Sequence, residues 1–225
     1  MPRDSLTREQ IVRTAIELLD DEGLDGLNMR SLGKRLDAAA TAMYWHVKNK
    51  DNLVRLAGDE VWHEIELPDL DELGWRAAAE ALATGMHSVL ERHPWMVQAM
   101  AGYLMYGPGK SRFDDLSLAV YERAGFSPAA ADRALAAVFT YVLGNVVGAA
   151  ATVSLKRRLG RDGGDPERRM ADAMSAAAEI AADFPHVRAR IDQPTDYNEA
   201  PGRSFEYGLE CLLDGFAARL GEAAR

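Results

Sequence analysis

Two short apolar-periodic stretches joined by a tight turn constrain this chain more than anything else in it. They lie within Asn28 to Leu56, NMRSLGKRLDAAATAMYWHVKNKDNLVRL. Asn28 is a good N-cap for a short helix bearing Met29, Leu32 and Leu36, and Asp37-Ala38 supply the turn. The next stretch, about residues 40–47, is too short to hold a helix in isolation. It needs a packing partner, and the run from Thr7 to Gly23 provides one. There Thr-Arg-Glu-Gln reads as a capping box, Ile11, Ala15, Leu18 and Leu19 fall on one face, and Gly23 ends the helix. Three short helices in this order make a compact unit of helix-turn-helix type.

With Met43 and Val47 turned inward, Thr41, Ala42, Tyr44, Trp45 and His46 are left on the outer surface. Soluble proteins do not leave such large aromatics exposed without use. Their chemistry fits a major groove: Tyr and His bond phosphate, Thr reads base edges, and small side chains lie against a thymine methyl. Arg30, at the start of the preceding helix, carries a guanidinium suited to bidentate contact with guanine. Lys48 and Lys50 flank the start of a fourth helix, capped by Asn49, where free amides also attract phosphate. Net charge is −9, yet residues 1–50 carry eight Lys/Arg against eight Asp/Glu, so the whole deficit lies downstream. Within 30–50 the balance is five basic to one acidic. A basic patch on an acidic body suits a protein that meets phosphate with one end.

The remainder reads as helical throughout, with no strand alternation and no hairpin signal. The fourth helix is expected to run to Pro68. Further helices are predicted at about 71–92, 95–106, 110–125, 128–156, 167–183 and 203–222, separated by Gly/Pro-rich turns at 107–109, 125–128, 160–166 and 193–202. No stretch shows the roughly 18 uninterrupted apolar residues of a membrane span. The polar start MPRDSLTREQ lacks the core of a signal peptide, and a lone Cys211 leaves no internal disulfide, so the cytoplasm is expected and no membrane partner.

Thr7 to Ala57 as a whole, and Met-Tyr-Trp-His-Val-Lys-Asn-Lys at 43–50 above all, resembles the DNA-binding domain of the tetracycline-repressor (TetR) family. The resemblance implies an all-α fold, with a head at 1–50 and an effector-binding and dimerisation body at 51–225. It implies a homodimeric, ligand-responsive repressor of double-stranded operator DNA. Carried over position by position, it implies DNA contacts from Arg30, Ala40, Thr41, Ala42, Tyr44, Trp45, His46 and Lys50. Two positions depart from the pattern: Asp37 stands where a glycine is usual, and Ala39 where a polar cap is usual.

For the body, Gly144 to Gly148, continued by Ala149 to Ala151, forms a small-residue face that permits close helix crossing. The last helix shows Leu209, Leu212 and Phe216, with Gly208 and Gly215 a heptad apart. These helices make either a dimer interface or packing within one chain. Pocket candidates are Leu82, Met86, Met100, Tyr103, Tyr106, Phe113, Phe139 and Met174, with Thr140 and Asn145 as polar contacts. Trp75, Trp95 and Met105 share that character, and all of these residues equally describe plain core. The family's tetracycline-binding members close the pocket with a histidine pair at the positions of Ile65 and Glu66, line it with an Asn and a Phe at those of Leu82 and Met86, and help bind a magnesium chelate at those of Thr140 and Gly148. A more apolar or aromatic small molecule is therefore expected, and no cofactor. Glu60-Val-Trp-His63 has the spacing of one half of a helical di-iron site, but the second half is missing. No phosphate loop or nucleophile elbow is present, so an enzyme is not expected. A non-sensing architectural DNA binder is the other alternative.

Overall fold

Thr7 opens the first helix through the capping box that its sequence spells. Its hydroxyl accepts from the Gln10 amide at 3.2 Å, and the Gln10 side chain accepts from the Thr7 amide at 2.9 Å. The computed structural model describes residues 6–161, 165–191 and 200–223. All regular structure among them is helical. The head comprises α1 (Arg8–Gly26), α2 (Met29–Arg35) and α3 (Ala40–Val47). Then come α4 (Lys50–His63), α5 (Trp75–Arg92), α6 (Trp95–Gly102), α7 (Pro108–Arg123) and α8 (Pro128–Arg161). The chain finishes with α9 (Pro166–Ala181), α10 (Pro185–Ile191) and α11 (Ala200–Ala223).

Several boundaries depart from the predicted ones for local reasons. Gly23, expected to end the first helix, is its break point: φ is 71°, which glycine adopts freely, and a last turn continues to Gly26. The fourth helix stops at His63, short of Pro68, where Arg112 donates to the His63 and Ile65 carbonyls at 3.3 and 3.2 Å. Pro108, read as a separator, begins α7 instead, since its fixed φ suits the first helical position. The α10 turn was not predicted. Of the loops expected at 160–166 and 193–202, residues 160–161 extend α8, Pro166 begins α9 and residues 200–202 begin α11, while 162–164 and 193–199 lie outside the described residues.

The head closes around Ile11, Ala15, Leu18, Leu19, Leu32, Met43 and Val47, each fully or almost fully buried. Asn28 caps α2, accepting from the Arg30 and Ser31 amides at 3.1 and 2.8 Å. Helix α4 belongs to both halves of the molecule. Its Leu53 and Val54 belong to the buried core near α1 and α3, and Val61 and Trp62 to that near α7. Gly58 and Gly109 let α4 lie close to the segment that leads into α7. A Cβ on Gly58 would collide with the Met105 side chain, and one on Gly109 with the Asp59 carbonyl. Polar contacts stitch the same line, with Arg55 donating to the Tyr106 carbonyl at 3.0 Å and the Lys110 amide to Asp59 at 3.1 Å.

A buried histidine ties head to body. His93, 8% exposed, places Nδ1 2.8 Å from the Asp20 carboxylate of α1 and Nε2 3.2 Å from Glu64 at the end of α4. Trp95 donates to the same Asp20 oxygen at 2.8 Å, and Arg92 pairs with Glu64 at 2.8 Å. Arg157 of α8 donates to the Asp20 carbonyl. Burial alone would lower the His93 pKa, but hydrogen bonds and charge from Asp20 and Glu64 prevail and hold it above its ordinary value. A histidine raised on folding stabilises the fold fully below its unfolded pKa, about 6.5, and loses that contribution as pH rises through the higher folded-state value. The melting temperature is therefore expected to fall as pH rises through that window, and His93→Gln to flatten the dependence. A melting curve equally pH-dependent in the variant contradicts this assignment.

Candidate functional site

Helix α3 is set out from the head by two unusual backbone positions. Asp37, in the turn before it, has φ 46°, so this residue does adopt the left-handed conformation that a glycine takes there more easily. Ala39 occupies the N-cap with no side-chain hydrogen bond. After α3, Lys48 has φ 59° and ψ −55°, and the Asn49 amide returns to the Val47 carbonyl at 2.7 Å. That is a γ-turn centred on a non-glycine residue, a strained arrangement. Asn49 then caps α4 through the Asn52 amide at 2.8 Å.

Between these turns the predicted outward face is realised. Met43 and Val47 are fully buried, while Tyr44 is 49% and Trp45 89% exposed. Thr41, Ala42 and His46 share the exposed side, and Ala40 begins the helix, its side chain outside the described set. Arg30 is exposed and borders a surface hollow of about 450 Å³ with Lys34, Gly33 and Ala39. Lys48 is exposed. Lys50 is not placed as the sequence suggested: it is half-buried, and its ammonium donates to the Leu24 carbonyl at 2.7 Å. The break at Gly23 leaves that helix-end carbonyl in need of a donor, and a nearby lysine supplies it.

In the body, a small cavity of about 10 Å³, room for roughly one water, lies between α5, α7 and α8. Of the pocket candidates, Leu82, Met86, Phe113 and Phe139 line it, joined by Ala79, Val120, Tyr121 and Val138, which sequence reasoning missed. Burial pushes the Tyr121 phenol pKa up, keeping it neutral. The other pocket candidates stand elsewhere. Met100 and Tyr103 are half-buried around the end of α6, and Tyr103 borders a separate surface hollow with Arg55 and Tyr106. Tyr106 is 62% exposed and carries the Arg55 guanidinium 4.7 Å from its ring centre. Thr140 faces outward, the Asn145 amide is spent on the Tyr141 carbonyl at 2.9 Å, and Met174 on α9 is 65% exposed. Within one chain, α8 and α9 turn these side chains away from the cavity.

Trp62 was also missed. Its ring centre lies 5.0 Å from Phe113 and 6.3 Å from Phe139, two rings of the cavity wall. Its indole N–H is buried without a protein hydrogen-bond partner among the described residues. Such a donor costs about 1–3 kcal/mol. The spacing Gly58, Trp62, Ile65 marked Trp62 as inward-facing, but nothing in the sequence joined it to Phe113 and Phe139.

Of the residues expected at a dimer interface, Gly144 and Gly148 face outward, and a Cβ at either meets nothing within 4 Å. Leu209, by contrast, is buried within the chain, Leu212 is half-buried, and Phe216 packs on Tyr121 and Phe126 at 6.0 and 6.3 Å. The exposed side of α11 instead carries Tyr207 and Cys211.

A three-helix head that presents an exposed aromatic recognition helix, seated on a larger helical body, defines a helix-turn-helix transcriptional regulator. Residues 11–57 match the family described as bacterial regulatory proteins, tetR family, and residues 67–220 the tetracyclin repressor-like C-terminal domain. The chain belongs to the TetR family of bacterial regulatory proteins. It is 33% identical to an HTH-type transcriptional regulator of Saccharopolyspora erythraea, over 96% of this chain and 86% of that one. It is 30% identical to the HTH-type transcriptional repressor DrrR1 of Streptomyces coeruleorubidus, over 99% and 83%. Among solved structures, ActR of Streptomyces coelicolor in complex with actinorhodin is similar with a TM-score of 0.76 at 25% identity, covering 98% of this chain and 100% of that one.

The γ-turn makes a sharp stability prediction. Lys48→Gly is expected to raise the unfolding free energy by about 1 kcal/mol by relieving backbone strain, measured by denaturant titration. A loss of stability on this substitution would show that Lys48 is not strained.

Proposed function

We propose that the protein is a homodimeric repressor of the bacterial cytoplasm, released from its operator by a small, largely apolar aromatic effector bound in the cavity between α5, α7 and α8. The observation that carries this reading is the double burial of α4, whose first half seals the head while Trp62 near its end packs against Phe113 and Phe139, two rings of the cavity wall. A ligand that opens the cavity pushes on the helix that sets the head. A coupling of roughly 1–3 kcal/mol suffices for about 5–150-fold weaker DNA binding. The cavity has room for only about 10 Å³, so ligand entry requires its walls to part, and that movement is the signal.

The division into a DNA-binding head at 1–50 and a sensing and dimerising body at 51–225 rests on the same arrangement. On the head, Arg30, Ala40, Thr41, Ala42, Tyr44, Trp45, His46 and Lys48 are assigned to DNA, and Lys50 to positioning α4 against α1. DrrR1 is a repressor by name and ActR is seen with actinorhodin, which supports the repressor and effector roles here.

Dimerisation rests on uncovered apolar surface. The most apolar eighteen residues of α8 have a mean hydropathy of 1.8, enough by length and composition to cross a membrane, and only 28% of them are buried within the chain. Gly144, Val147 and Gly148 lie on the open side, and Met174, Ile180 and Phe184 are exposed on or just after α9. A second copy covers such surface in a water-soluble regulator, and two recognition helices then meet half-sites about 34–36 Å apart.

Selection of random duplex DNA by the purified protein is expected to enrich a two-fold symmetric site, and failure to do so removes the operator assignment. On that site, Tyr44→Ala and Trp45→Ala are each expected to lower affinity about tenfold at fixed salt, roughly 1.4 kcal/mol, with helicity unchanged. Lys48→Gly is expected to reduce the slope of log affinity against log salt by about 1. For assembly, wild-type protein is expected to scatter light with twice the 24.6 kDa chain mass. Gly148→Leu, harmless within the protomer, is expected to shift it to monomer. A monomeric wild type overturns the dimer.

A further inference from the structure

The cavity that the proposed function assigns to an effector is lined mostly by carbon, with Ser117 and the neutral Tyr121 phenol its polar-bearing residues, and two hydrogen-bond donors stand behind its Phe113 and Phe139 rings. One is the buried Trp62 N–H, which has no protein partner among the described residues. The other is the Lys110 ammonium, 5.1 Å from the Trp62 ring centre and 5.2 Å from that of Phe139. Lys110 is only 20% exposed and is balanced by Asp114, one turn further along α7. No carboxylate among the described residues lines the cavity, and the Ser117 hydroxyl there is spent on the Phe113 carbonyl at 2.7 Å.

We propose that the effector is a planar aromatic acid, its ring between Phe113, Phe139 and Met86 and its anionic oxygen received by the Trp62 N–H and the Lys110 ammonium in exchange for Asp114. This rests on the cavity being the effector site. Charge balance selects the acid. An entering ring desolvates Lys110 further, and a buried ammonium needs a counter-ion. Asp114 is 36% exposed and turns to water at little cost, so a ligand anion that replaces it keeps the pair neutral. A neutral ligand leaves the original ion pair to be dried out without a new contact, and a cation meets Lys110 as a like charge. The orphan indole N–H donates to the same oxygen, and it loses its desolvation penalty only when such an acceptor arrives.

The geometry also joins the acid to DNA release. Trp62 lies on α4 and Lys110 on α7, where the Lys110 amide already bonds Asp59 of α4 at 3.1 Å. An oxygen held between them draws on the two helices whose contact sets the head. The anion is therefore the part of the ligand that reports to α4, while the ring supplies affinity.

The test uses naphthoate and its uncharged amide, naphthamide, which share one ring system, titrated calorimetrically into the intact protein at neutral pH. Naphthoate is expected to bind one per chain and about tenfold tighter than the amide. Lys110→Met is expected to bring the two within about twofold, Lys110→Arg to retain the preference, and Trp62→Phe to weaken naphthoate more than the amide. Equal affinities in the wild type, or a preference that survives Lys110→Met, overturn the proposal. Leu82→Trp, which fills the cavity, separates this failure from that of the underlying reading. If both compounds bind equally and Leu82→Trp abolishes both, the cavity stands and the acid is wrong. If neither compound binds, or Leu82→Trp leaves binding intact, both inferences fall.

Discussion

The rest of the structure depends on one helix being buried on both sides. α4 is fourteen residues long, and Leu53, Val54, Leu56, Ala57, Gly58, Val61 and Trp62 are all buried within it. An amphipathic surface helix hides one stripe, whereas this one is covered by α1 and α3 along one side and by α6 and α7 along the other. At roughly 25 cal/mol per Å² of buried apolar surface, neither half of the molecule can give up α4 without losing much of its own core. Head and body are therefore not independent units joined by a tether. Any displacement of α4 is felt at α3, because Val47, the γ-turn at Lys48 and the Asn49 cap leave no slack between them.

Polar contacts along α4 set how far it can move. Arg55, Asp59 and the helix-end carbonyls each bind the segment from Tyr106 to Arg112, and Glu64 joins the buried histidine that reaches α1. Each is modest alone. Together they define discrete positions, since a side chain that leaves one partner must find another in a partly dry environment. The glycines at 58 and 109 play the opposite part: they remove bulk where the backbones come closest. The orphan Trp62 donor sits at the junction of these features, a small reservoir of unfavourable energy among described side chains whose other buried polar atoms have partners.

Much of the fold was legible because it is written in short-range chemistry. Thr7 with Gln10, Asn28 with Ser31, and Asn49 with Asn52 specify helix starts within three residues, and the caps form as spelled. Met43 and Val47 go inward while Tyr44 and Trp45 stay out, because a four-residue spacing permits nothing else once the short helix packs on α1. The placements that failed depend on long-range neighbours. Lys50 was expected to face phosphate, but a break 27 positions earlier, at Gly23, presents it with the Leu24 carbonyl. Leu209 and Phe216 looked like interface residues, yet α8 and the aromatic pair Tyr121 and Phe126 cover them within the chain.

By itself, the sequence determined that this protein is all helical, where the capped helices α1, α2 and α4 begin, and that one short helix exposes aromatic and basic side chains suited to a DNA groove. Caps, turns and the 3.6-residue period act between neighbours, so they can be read along a line. Only the tertiary structure decided which apolar residues share a cavity and which polar groups stand beside it. Leu82, Phe113 and Phe139 meet through three different helices, and Met174 points away on a fourth. Trp62 and Lys110 come together because Gly58 and Gly109 let α4 and α7 approach, a consequence of packing that no periodicity announces. Core and pocket are built from the same residue types, and only the crossing of helices distant in sequence separates one from the other.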